Sequence, residues 1–331
     1  MTADAYTNRP DLWYAVGNGR TDFCLWDLGH EGPTIPMSIY KKFPTWNKVK
    51  HIFLIDKEAQ PQMLEIIQED PRVHVWDSLV YKDLPQWHTY FWWWQTVKDV
   101  DQSNNLSGQL INPMDSGENL FLFECMLGIK KPQSDFLYQK ILKNTNLLSC
   151  TFLNYLATGH NWVPACNLDV ANILIPNKPG GSGILIPYNQ QGQQANISTI
   201  LPVKIYNQSW FSIYVESRKN HTRFFSEKTA KCLLGLRLFV IFSAPGMLKD
   251  LKTLGFQTFD TIIDETYDTI LDDETRWNHA FDQVIWLSKQ NPKEIYQQVH
   301  SILEHNRRHF LSIDWTQQML DKMHQLLYCD K

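Results

Sequence analysis

The stretch from His51 to Trp76 constrains the chain most. HIFLI and VHVW are short, continuous apolar runs. Between them lies KEAQPQMLEIIQEDP, in which Met63, Ile66 and Ile67 recur at helical spacing and Pro71 closes the segment. Two parallel neighbouring strands need a long connection, and a helix supplies it, so strand, helix and strand in this order predict a parallel crossover unit. Leu12–Val16 and Phe23–Trp26 read as two further strands of the same kind. Asp56 and Asp77 each stand just past the carboxyl end of a predicted strand, the edge where open parallel sheets bind ligands. Taken alone, each is equally a helix cap or a turn residue.

A second set of elements begins after a polar stretch, DQSNNLSGQLINPMDSGEN at 101–119, which reads as a linker or long loop. Leu120–Leu127 is a continuous apolar run suited to a strand buried on both faces. Gly128, Lys130, Lys131 and Pro132 form a basic turn. A helix carrying Phe136, Leu137, Ile141 and Leu142 follows, and Leu147–Phe152 reads as the next strand. Residues 159–202, rich in Gly, Pro, Gln and Asn, read as an insertion. Beyond it come a strand at Trp210–Val215, a helix at about 227–236, a strand at Leu238–Phe242 and a helix at about 246–254. Residues 272–289 and 292–329 are helical by period. The predicted architecture is α/β with two domains.

With 31 basic against 35 acidic residues, the chain lacks the bulk charge of a dedicated nucleic-acid binder. No window is apolar over eighteen residues, so no membrane span is expected. The first residues carry neither a basic segment nor a long apolar run, and no two of the six cysteines have CxxC spacing. The expectation is reduced thiols in a cytoplasmic setting. No His/Asp/Glu/Cys cluster has ligand spacing, so no metal is expected. Asp99-Val-Asp101 mimics a metal-binding DxD but reads as surface charge. His305, Arg307, Arg308 and His309 read as a solvated helix face, and VGNGR at 16–20 as a plain turn.

The chemically informative segment is YVESRKNHTRFFSEKTAKCLLG, starting at Tyr214. A strand ends at Glu216, a turn dense in Arg218, Lys219, His221 and Arg223 follows, and Ser226 caps a helix that begins with Glu227 and Lys228. A helix start offers free N–H groups and partial positive charge, which suits phosphate. Lys228 and Arg218 complete a pyrophosphate site, and Glu227 suits a ribose diol. The plain alternative is a capped helix with solvated charges.

FFSEKTAKCLLG resembles the YVTEK-type motif of α1,3-fucosyltransferases, with VES in place of their FEN segment. More closely, ESRKNHTRFFSEKTAK, followed by APG, LGF and IDE, looks like the carboxyl-terminal half of glycosyltransferases encoded by bacteriophages and some bacteria. FECMLGIKKPQSDFLYQKIL is similar to the strand, basic turn and helix preceding that motif. The resemblance covers about 120–290. It implies a GT-B fold, two Rossmann-like domains facing across a cleft. An acceptor-side domain would span 1–117 and a nucleotide-sugar domain 118–290, with helices at 291–331 packing back toward the amino-terminal domain.

By the same resemblance, Glu227 matches the Glu that contacts the nucleotide, Lys228 the Lys on the diphosphate, and Glu216 the Glu of the FEN segment. Ser217 replaces the Asn of that segment. Gln133 and Ser134 stand where an Arg is expected, leaving Lys130 and Lys131 as the nearest cations. The donor-binding candidates are therefore Glu216, Arg218, Arg223, Ser226, Glu227, Lys228 and Lys130. The catalytic base is sought among Asp27, His30 and Asp77, with Glu31 and Asp56 beside them. The expected activity is sugar transfer from a nucleoside-diphosphate sugar, as substrate and without a cofactor, to a glycan, protein or modified-base hydroxyl. A non-catalytic carbohydrate- or nucleotide-binding module of the same fold is the alternative.

Overall fold

A computed structural model describes residues 23–27, 50–55, 68–77, 85–116, 120–128, 130–158, 161–164, 197–216 and 223–328. The chain divides into two compact units, Met1–Gln95 with Asp314–Lys331, and Thr96–Ile313.

The first unit carries a four-stranded sheet of β1 (Phe23–Asp27), β2 (His51–Ile55), β3 (Val73–Asp77) and β4 (Trp87–Thr89), in that order and parallel throughout. Ile52, Phe53, Leu54 and Val75 are completely buried, as a strand covered on both faces requires. The parallel pairing of β2 with β3 is the one expected of a crossover unit, and its connecting residues 56–67 lie outside the described residues. Helix α1 (Trp92–Asn104) starts here with Trp93 and Trp94 buried. The last helix of the chain also belongs to this unit: Trp315 packs edge-on against Phe91 and Trp94, and its backbone N–H donates to Gln95 Oε1 at 2.9 Å.

The second unit holds a five-stranded sheet in the order β7-β6-β5-β8-β9. Its elements are β5 (Phe121–Leu127), α2 (Pro132–Lys143), α3 (Thr145–Ser149), β6 (Thr151–Thr158), β7 (Asn161–Pro164), α4 (Val203–Asn207), β8 (Ser209–Val215), α5 (Glu227–Leu234), β9 (Phe239–Phe242), α6 (Met247–Thr253), α7 (Asp273–Leu287) and α8 (Pro292–Ser312); α9 (Trp315–Tyr328) then returns to the first unit. All pairings are parallel except β6 with the edge strand β7. Every residue of β8 is buried, which needs its serines satisfied. Arg237 does this, donating from Nε to Ser212 Oγ at 3.0 Å and from its terminal nitrogens to Ser209 O and Oγ at 2.6 and 2.8 Å.

Several local expectations change. Leu147–Phe152 is not one strand: the Asn144 side chain accepts the Leu147 N–H at 3.0 Å and caps the short α3, so β6 starts only at Thr151. The polar stretch from 101 lies within the second unit. Asp101 is helical and 4% exposed rather than surface charge. Its carboxylate accepts the Ser107 N–H and hydroxyl at 2.5 and 2.8 Å, tying that stretch to α1. The basic run on α8 is not simply solvated. His305 and His309 reach the Gly255 and Leu254 carbonyls at 3.0 and 2.7 Å, satisfying the end of α6.

Candidate functional site

In the second sheet the chain runs from β5 to β6 on one side, and β8 pairs with β5 on the other. The crevice outside the carboxyl ends of β5 and β8 is thus a topological switch point, the place where open α/β sheets bind ligands. Two helices start there. α2 follows β5, and α5 follows β8.

Glu216 comes directly after β8 and is 1% exposed. Both its carboxylate oxygens accept the Ser226 N–H, at 3.2 and 3.3 Å, and Oε1 accepts the Thr229 hydroxyl at 2.6 Å. Burial raises its pKa, against the pull of the Lys228 charge and of the Ser226 and Thr229 hydrogen bonds. Glu216 therefore fastens the α5 start to the sheet edge. Ser226 caps α5, its Oγ accepting the Lys228 N–H at 3.3 Å. Lys228 Nζ donates to Glu227 Oε1 at 2.9 Å and to Ser226 Oγ at 3.3 Å.

The Glu227 and Lys228 side chains are only 12% and 22% exposed, so they form a partly buried pair and not two solvated charges. Burial works to raise Glu227, yet the neighbouring Lys228 and Lys231 charges bring it below the ordinary carboxylate range. For Lys228 burial pulls down, while Glu227 and Glu216 push the net shift up. One turn on, burial takes the Lys231 ammonium down to about 8.

α2 starts differently. Its N-cap, Lys131, is extended and makes no side-chain cap, and Pro132 at the first position has no N–H to offer. Gln133 and Ser134 follow at 1% and 2% exposure, and among the described residues no acceptor meets either N–H. Gln133 Nε2 donates to the Glu216 carbonyl at 3.4 Å, joining the two helix starts. Gln133 Oε1 is buried with no partner. Asp135, also in this first turn, takes the Tyr155 hydroxyl at 2.5 Å.

Of the donor-binding candidates, Glu216, Ser226, Glu227 and Lys228 are brought together. Arg223 is committed to Asp250 of α6 at 3.1 Å. Lys130 is exposed just before α2. Arg218 lies outside the described residues, as do His30, Glu31 and Asp56. Asp27 and Asp77 are the last residues of β1 and β3, which places their backbones at one carboxyl edge of the first sheet. Among the described residues no group of three or more His, Cys, Asp or Glu is placed to hold a metal, and no helix is long and apolar enough to cross a membrane. Cys125, Cys150 and Cys232 are unbridged.

Gln133 is the functional candidate that the sequence marks only as a departure from the expected Arg. Asn154 in β6 is another that it passes over. The residue is fully buried, and neither atom of its amide has a hydrogen-bond partner. An amide inside the apolar run FLNYLA is the sequence signal that points to it. No protein family, curated protein or solved structure matches the chain.

Proposed function

We propose that the chain is a glycosyltransferase of GT-B type, moving a sugar from a nucleoside-diphosphate sugar to a hydroxyl acceptor. The observation that supports this most is the pairing, at one switch point, of an uncapped helix start with the Glu227–Lys228 pair: N–H donors and a cation for a diphosphate beside a carboxylate for a ribose. When the sugar leaves, negative charge grows on the diphosphate. Fixed N–H dipoles at Gln133 and Ser134, with the Lys228 ammonium turned from Glu227 toward the ligand, stabilise that charge without a metal. Lys130 and Arg218 are the further cations of the site.

In this proposal residues 118–290 hold the donor, and the acceptor and its catalytic base belong to 1–117, with Asp27, His30 and Asp77 as candidates. The helices at 291–331 close the fold, the two domains face across a cleft, and the setting is cytoplasmic. The acceptor is a glycan, a protein or a modified base. A second reading, a nucleotide-binding module without turnover, is favoured by the commitment of Lys228 to Glu227.

A thermal-shift screen over UDP-, GDP-, CMP- and ADP-sugars in EDTA, followed by hydrolysis assays on any hit, tests both. Binding with slow hydrolysis supports the transferase, and binding with no turnover supports the module. If no nucleotide sugar binds, or if binding strictly requires Mn²⁺ or Mg²⁺, the proposal fails.

A further inference from the structure

Gln133 has one fixed bond and one open atom. Its Nε2 donates to the Glu216 backbone carbonyl. A carbonyl only accepts, so the amide is held with nitrogen toward the end of β8 and oxygen turned the other way. That oxygen is buried and unpartnered, an arrangement folded proteins seldom keep without a use. On the same residue and the next, two N–H groups at an uncapped helix start also have no acceptor among the described residues.

The crevice thus offers two donors suited to an anion and, beside them, one neutral acceptor. A bare anion satisfies only the donors, because its oxygens repel an amide oxygen. A ligand that satisfies all three carries an anionic group and, a few bonds away, a neutral O–H or N–H. The chain has an amide where the resemblance leads one to expect an Arg, and an Arg would add charge without supplying an acceptor.

Resting on the nucleotide-sugar proposal above, we infer that Gln133 is a specificity-determining residue: its Oε1 accepts a hydrogen bond from the nucleoside part of the donor, a ribose hydroxyl or a base amine, while the Gln133 and Ser134 N–H groups hold the phosphate. Gln133 then makes the site select nucleoside diphosphates over inorganic pyrophosphate.

Isothermal titration of the full chain with UDP, GDP, ADP, CDP and inorganic pyrophosphate tests this on wild type and on Gln133→Met, which keeps the length and removes the amide. The expected result is a loss of about tenfold in affinity for the tightest nucleotide, the size of one hydrogen bond. Pyrophosphate affinity should stay within about twofold, and the melting temperature should change little, since the variant removes an unpartnered buried oxygen together with one long hydrogen bond to the Glu216 carbonyl.

A 2′-deoxy form of that nucleotide separates the two sources of the donor. If it binds wild type more weakly but Gln133→Met equally, the 2′-hydroxyl is assigned; a 3′-deoxy form tests the 3′-hydroxyl in the same way, and if wild type distinguishes neither, the base is assigned. Should Gln133→Met fail to fold, Gln133→Asn, which withdraws the oxygen by one methylene, is read the same way. Nucleotide affinity unchanged in the variant overturns this inference and leaves the donor-site proposal standing. Failure of every nucleotide to bind wild type overturns that proposal and this inference with it.

Discussion

At the carboxyl edge of the second sheet, α5 begins with a side-chain cap and α2 begins without one. In α5 the Ser226 hydroxyl takes the Lys228 N–H, the Glu216 carboxylate takes the Ser226 N–H, and Lys228 pairs with Glu227. In α2 the cap residue is a lysine in extended backbone, the first position is proline, and the next two N–H groups have no acceptor among the described residues. A third start, that of α6, is also filled: Asp268 accepts the Leu248 and Lys249 N–H groups at 3.1 Å each. The residues that announce a helix start in a sequence are the ones that satisfy it. A strongly signalled start is therefore a closed one, and an open start, the kind a phosphate needs, carries little signal.

Removing the carboxylate that closes α5 is the most disruptive way to test this contrast. Glu216→Ala leaves the Ser226 N–H and the Thr229 hydroxyl without their acceptor, and urea unfolding should show a loss of about 3 kcal/mol. A loss near zero would mean that Glu216 serves a ligand and not the fold.

The converse change closes α2. Lys131→Asp supplies the missing cap. It should raise stability by about 0.5–1 kcal/mol, and by filling the donors it should weaken nucleotide and pyrophosphate binding alike by about tenfold. A variant that gains stability and binds as before would place the anion elsewhere.

The smallest expected effect is in pH. Burial raises the Glu216 pKa in the folded protein above its ordinary 4.5, so the folded state holds this proton more tightly than the unfolded chain. The stability it confers is full below 4.5 and is lost as pH rises through the raised value. Glu216→Gln has no such proton. The stability difference, wild type minus Gln variant, should therefore be greatest in acid and shrink as pH rises, as unfolding curves from pH 4 to 8 would show. A difference that grows with pH would reverse the sign given to burial here.

The same contrast accounts for what could be read in advance. β5 and β8 were legible because a strand covered on both faces is a continuous apolar run, and α5 was legible because Ser226 and Glu227 are cap and first-turn residues. The break between α8 and α9 was not, since the apolar period runs through it. Lys98 Nζ donates to the Ile313 carbonyl at 2.6 Å, and Asp314 accepts the Gln317 N–H at 2.8 Å, so the chain stops and restarts there. In the sequence Glu227 and Lys228 read either as ligand contacts or as solvated charges, and only their packing shows a partly buried pair. Gln133 was illegible for a different reason. Its orientation comes from a carbonyl 83 residues away, and its open oxygen is a property of what does not surround it.

The central claim is that the anion sits on the open start and not on the closed one. Hydrogen exchange of the full chain, with and without the nucleoside diphosphate that stabilises it most, tests this directly. Among the described residues the Gln133 and Ser134 N–H groups have no acceptor, so bound phosphate should slow a peptide spanning 130–137 while leaving one spanning 226–234 nearly unchanged. Protection confined to 226–234, with 130–137 unaffected, would contradict it.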